Sequence, residues 1–261
     1  MKLSKPALKY VLVLITVAAS VAMYFSPKIL QDYTYHQFAD RRTFFTIPNF
    51  YNVISNLIFL WVGIMGLFKL HKKQLNIVAT TQWSYYVFFI AVIFISFGSA
   101  YYHWQPNNLS LVWDRLPITF AFMSLLSFVL AECLSVNWGR SSLLPLLFVG
   151  LLSIGYWYWG NVHGAGDLRL YALVQFLPLV LLLVLLLFGQ SVFKNQLGYW
   201  VLFISYLLAK LAEHFDSAIF TYTSGIVAGH ALKHLLSAFG LYALIIFFKQ
   251  RTVKVTVNFK S

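Results

Sequence analysis

Three histidines, an aspartate and a serine are the residues of this chain whose types and spacing suit chemistry. In "SAYYH", Ser99 and His103 stand four residues apart. In "GHALKH", so do His230 and His234, and Asp114 follows His103 across ten intervening residues. On a helix, residues four apart share a face. His230 and His234 can therefore offer two imidazoles to one ion, and Ser99 sits one turn from His103. Two histidines from one helix and a third from a distant one form a three-His set, a known arrangement of catalytic zinc that leaves the fourth position to water. Zinc lowers the pKa of such a water toward about 7, which supplies hydroxide at neutral pH. Asp114, expected at the start of a helix with Pro117 in its first turn, is then placed to take a proton. Ser99 is a weak ligand, and its hydroxyl is better suited to a substrate carbonyl oxygen as charge develops there.

The elements that must position these residues are read from composition. The 261 residues are 60% hydrophobic and only 10% charged. Apolar runs recur along the chain at about the 18 or more residues that match a hydrocarbon core. We expect eight spans, near 8–26, 50–68, 83–102, 114–135, 142–160, 169–188, 196–214 and 229–248. The expected fold is all-α, a polytopic membrane protein with a seven-transmembrane-helix bundle preceded by one extra N-terminal helix. Its parts are a signal anchor and the start of an outer loop over 1–32, the bundle over 33–248 and a basic tail over 249–261. An uncleaved anchor is preferred to a cleaved signal peptide, because the apolar run is long and no small-residue cleavage site is evident.

The net charge of +12 invites a nucleic-acid reading, but the distribution of the basic residues speaks against it. With the N-terminus in the cytoplasm, Lys2, Lys5, Lys9, Lys69, Lys72, Lys73, Arg140, Lys194, Lys249, Arg251, Lys254 and Lys260 fall inside. Lys28, Arg41, Arg42, Arg115 and Arg169 fall in outer loops or at outer span ends. This is the positive-inside pattern, with both termini cytoplasmic. The excess is read as orientation and contact with anionic lipid, with no nucleic-acid partner. His103, Asp114, His230 and His234 then meet near the extracytoplasmic face.

Ionisable residues inside a membrane are costly and become site candidates by default. Glu213, His214 and Asp216 near the three histidines are read either as groups orienting the imidazoles or, with Lys210 and Lys233, as an ion-pair network. His36 and His163 are expected to be solvated in outer loops, and His71 belongs to an inner loop. Glu132 has no evident role from sequence. Cys133 is the single cysteine, so an intrachain disulfide and a thiolate metal cluster are both excluded.

At this constellation the chain resembles the alkaline ceramidases and the wider superfamily of seven-helix membrane hydrolases and receptors that share a Ser, three His and Asp set. The resemblance lies in "NVISN" (52–56), "GSAYYHW" (98–104), "WDRLP" (113–117) and "GHALKH" (229–234). It implies a seven-helix bundle, zinc held by His103, His230 and His234, Ser99 near the metal and Asp114 near its water. It also implies hydrolysis of the amide of a ceramide-like lipid to a fatty acid and an amine. The substrate comes from the resemblance alone. There are departures: Asn49 stands where the animal enzymes carry a glutamate before the N-x-x-S-N motif, and the preceding segment offers only Asp32 and Asp40. Calcium prefers several oxygen ligands, often carboxylates, and its binding is left open. The extra first span also departs from the animal enzymes, as expected of a divergent, bacterial-type branch.

Two alternatives stand beside the amidase. A lipid ester hydrolase would use the same site, since a metal hydroxide attacks esters and amides alike. A seven-helix receptor or structural protein with non-catalytic zinc would share the fold, and fold alone does not separate receptor from enzyme.

Overall fold

The computed structural model describes residues 2–254, so Lys260 and the end of the basic tail lie outside the described residues. Helices form wherever long apolar runs leave the backbone no better partner than itself. They are α1 (Lys5–Phe25), α2 (Phe50–Ile54), α3 (Leu57–His71), α4 (Gln82–Trp104), α5 (Asn108–Cys133), α6 (Val136–Val162), α7 (Arg169–Phe188), α8 (Leu197–His214), α9 (Asp216–Tyr222) and α10 (Gly229–Gln250). Short 3-10 turns at Tyr33–His36 and Ala79–Thr81 complete the set. Among the described residues there is no strand, only isolated bridges such as Phe193 to Val253.

Seven of these segments are long and apolar enough to cross a membrane, with α2 and α3 counting as one. The eighth expected span, α8, is helical, but Lys210, Glu213 and His214 in its last turns keep it below the apolarity of the others. The seven apolar helices are consistent with a multi-pass membrane protein. Large apolar side chains such as Leu14, Phe94, Leu144 and Phe239 lie exposed along them, as lipid-facing side chains do.

The centre is α5, 78% buried over its most apolar stretch, against 11% for α1. It packs on α4, α6 and α7, while α10 packs on α8 and α3, and α1 lies outside against α7. One expectation is corrected here. Helix α5 begins at Asn108, six residues before Asp114, because Asn107 accepts from the backbone of Leu109 and Ser110 while Ser110 returns a bond to the Asn107 backbone. That capping box places Asp114 well inside the helix and Pro117 in its interior, so the N-terminal dipole has no hold on the Asp114 carboxylate. Arg115, expected at an outer span end, is likewise 5% exposed within the bundle.

Glu132 finds its role at the far end of α5. Its carboxylate receives Arg251 through two guanidinium nitrogens at 2.9 and 2.6 Å, and also the hydroxyls of Tyr85 and Tyr199. The guanidinium lies between the rings of Phe193 and Phe248, each 3.8 Å away. A buried carboxylate is tolerated only when paired and fully hydrogen-bonded, and this one has four donors. It fastens the chain after α10 to the core.

Candidate metal centre

His103 closes the last turn of α4, and His230 and His234 occupy the first turns of α10. All three are buried, and each offers one nitrogen within 4.8 Å of the others. Nε2 of His103 and Nε2 of His230 are 3.3 Å apart. Two ligands of one tetrahedral ion, each at about 2.0–2.1 Å, lie roughly 3.3–3.4 Å apart. Nε2 of His234 is buried and has no hydrogen-bond partner, while its Nδ1 bonds the Ser55 hydroxyl at 2.8 Å. A metal-binding imidazole has this form, one nitrogen facing the ion and the other held by an outer partner. A buried nitrogen left unpaired is otherwise costly. Nδ1 of His103 is likewise buried without a partner, so of the three imidazoles His234 alone shows that outer hold on a side chain. The donor set and the orphaned Nε2 of His234 fit a metal ion, and three imidazoles suit zinc, iron, copper or nickel alike.

Local structure explains the convergence. At Gly98 a Cβ would lie 1.9 Å from the Trp113 carbonyl oxygen, so only glycine lets α4 approach α5 at the level of Ser99 and Asp114. At Gly229 a Cβ would lie 2.1 Å from the Ala212 carbonyl oxygen, which fixes the start of α10 against the end of α8. Asp216 reinforces that corner. Its carboxylate accepts from the backbone N–H of His230 at 2.7 Å and of Ala39 at 3.0 Å. The interruption between α2 and α3 turns Ser55 toward His234, and Asn49, in the left-handed region at φ 50°, donates to the His103 carbonyl oxygen at 2.8 Å.

The segment before α2 roofs the cluster. Phe38 is buried with its ring 4.8 Å from both His103 and His230. His36, expected to be solvated, is instead half-buried and bonds the Tyr102 hydroxyl at 3.0 Å and Asn108 Oδ1 at 2.9 Å. Its neighbours come from α4 and α5, far along the chain. His163 is exposed and bonds only the Trp159 carbonyl oxygen, and His71 and His214 are also exposed.

Of the two acidic residues in the segment before α2, Asp32 caps the turn at Thr34. Asp40 is buried and holds the Arg42 backbone and guanidinium. Burial pushes the Asp40 carboxyl up, but the hydrogen bonds and charge of Arg42 outweigh it and hold it below the usual carboxylate value.

Ser99, Asp114 and His234 share the wall of one cavity of about 280 Å³ that runs into the bundle. Its inner walls are apolar, with Val92, Ile95, Leu125, Leu182 and Leu202 among them. Near the site it carries Arg115, Lys210, Lys233 and Glu213. Of the two readings of Glu213 and its neighbours, the ion-pair network is the one formed. Glu213 accepts from Lys233 at 2.6 Å and also from Lys210. Asp216 stands apart from that network and holds backbone instead.

Fold and site define a helical protein, apolar enough for membrane, with a buried three-histidine centre beside a cavity of mixed apolar and charged lining. Compared with family models, curated proteins and solved structures, the chain gives no match.

Proposed function

We propose that this chain is a zinc-dependent hydrolase within the membrane that cleaves the amide bond of a ceramide-like N-acylated lipid to a fatty acid and an amine. In this reading a seven-helix bundle with an additional first helix spans the bilayer, both termini are cytoplasmic, and the site lies near the extracytoplasmic face. One observation carries it: His234 of the three-histidine cluster, Ser99 and Asp114 share the wall of one cavity with a long run of apolar side chains, among them Val92, Ile95, Leu125, Leu182 and Leu202. Such a cavity suits an acyl chain with a few polar groups at its end.

His103, His230 and His234 would hold the ion through neutral nitrogens, and Ser55 keeps His234 in the tautomer and orientation this needs. Zinc so held supplies a Lewis acid and a water acidic enough to ionise near neutral pH. Asp114 takes the proton of the attacking water and passes it to the departing amine nitrogen. Ser99 donates its hydroxyl to the amide carbonyl oxygen as negative charge builds there. Phe38 and the apolar walls keep bulk water from the reacting groups.

The test is release of fatty acid from fluorescent ceramide by detergent-purified protein, wild type beside Asp114→Asn. Release that falls by about 10²–10⁴-fold in the variant supports the reading. An absence of release from ceramide and from other N-acyl lipids, in protein loaded with zinc, overturns it.

A further inference from the structure

We infer that the cavity takes an N-acylated lipid whose head group carries a negative charge, and that Arg115 is the residue that seats this charge. This rests on the reading of the cavity as the lipid site, and it names the class of lipid.

The wall of the cavity carries three cations, Arg115, Lys210 and Lys233, against two carboxylates, Asp114 and Glu213. The two ammonium groups share the single carboxylate of Glu213. Arg115 has no salt-bridge partner among the described residues. Its guanidinium is held by stacking, 4.4 Å from the Trp157 ring and 4.6 Å from the Tyr171 ring, and by one bond from Nη2 to Gln31 Oε1 at 2.8 Å. The residue is 5% exposed, and its Nη1 is buried without any hydrogen-bond partner.

A guanidinium is always charged, and an unpaired buried charge is among the costliest features a fold can carry. Here it is held by two aromatic rings in the wall of the cavity, one residue from Asp114. The group that relieves it is an anion with at least one free oxygen, a carboxylate or a phosphate, since Arg pairs with either through its planar fork. An uncharged diol head group, as in ceramide, leaves Nη1 with a weaker partner. Any divalent ion at the histidines adds to the positive field. In a carboxylate-headed substrate, water adds across the C–N bond. The acyl carbon takes the hydroxyl of the water, and the nitrogen, with its own proton and the second proton of that water, leaves as the amine of an amino acid.

The experiment compares matched pairs on the full chain in neutral detergent. N-palmitoylserine is set against N-palmitoylserinol, which differs only in a hydroxymethyl for the carboxylate. N-palmitoylethanolamine phosphate is set against N-palmitoylethanolamine. Binding is read by thermal stabilisation and titration, and turnover by fatty-acid release. We expect the anionic member of a pair to bind at least about 10-fold more tightly, the scale of a hydrogen bond to a charged group. That preference should shrink toward unity in Arg115→Gln and be partly kept in Arg115→Lys. The pair with the larger preference identifies carboxylate or phosphate as the head group. Equal binding of charged and neutral members by the wild type overturns the inference without any variant, as does a preference that persists in Arg115→Gln. Preferential binding without cleavage would sink the hydrolase reading and keep the anion site, whereas equal cleavage of all four lipids would do the reverse.

Discussion

Nε2 of His103 and Nε2 of His230 lie 3.3 Å apart although 127 positions separate them in the chain. Both are buried, His234 offers a nitrogen within 4.8 Å of the other two histidines, and its buried Nε2 has no partner at all. A shared proton would satisfy one pair and leave the third nitrogen stranded, whereas one ion satisfies all three.

Ser55 would be the outer support of an ion held there. Ser55→Ala removes the 2.8 Å bond to His234 Nδ1 and is expected to weaken metal binding by about 10–100-fold. Competition against a chelator measures this, with the protein remaining folded by thermal melting. An unchanged affinity would show that His234 needs no such support.

Gly98 sets the spacing of α4 and α5. In Gly98→Ala the new methyl would sit 1.9 Å from the Trp113 carbonyl oxygen, so the helices must separate. Overpacking of this kind costs about 1–3 kcal/mol, occasionally more. It should also pull Ser99 away from Asp114 and cut turnover beyond what the lost stability explains. Melting temperature and activity at a temperature where the variant is folded distinguish the two effects.

How much of this was legible in the sequence varies by residue. The four-residue spacing of His230 and His234 and the span ending at His103 were enough to bring the three imidazoles together. The start of α5 was misplaced because hydropathy marks where a helix becomes apolar, while the capping box of Asn107 and Ser110 marks where it begins. Ser55 stood inside the "NVISN" motif, yet nothing in sequence said that a break between α2 and α3 would turn it toward α10. Gly98 also lay inside a quoted motif, and its reason, contact with a backbone oxygen of the next helix, is tertiary. Glu132 had no account because its partner, Arg251, is 119 positions away and was counted among the cytoplasmic basic residues of the tail.

That pair gives a stability prediction. Glu132→Gln leaves the Arg251 guanidinium buried between two phenyl rings with its charge uncompensated. Removing one partner of a buried pair costs about 3–5 kcal/mol. The variant should melt well below wild type while its metal content per folded chain stays the same. A loss under about 1 kcal/mol would mean that water reaches the pair.

Asp40 gives a pH dependence. Its carboxyl is held below its usual value by Arg42 in the folded protein. The sign follows: the stability it contributes is fully present above the unfolded pKa of about 3.9 and is lost as pH falls through the lower folded value. The difference in melting temperature between wild type and Asp40→Asn should be constant from pH 8 to about pH 5 and close only in more acidic solution. A difference that changes between pH 8 and pH 6 would assign it to another group.

The most direct measurement is elemental analysis of detergent-purified protein, wild type beside His234→Ala, with folding checked by helical circular dichroism. About one zinc per chain in the wild type, lost from a variant that remains helical, is the outcome the three-histidine site requires. Wild-type protein that takes up no metal when supplied with zinc, or a variant that retains it in full, would return these histidines to helix packing.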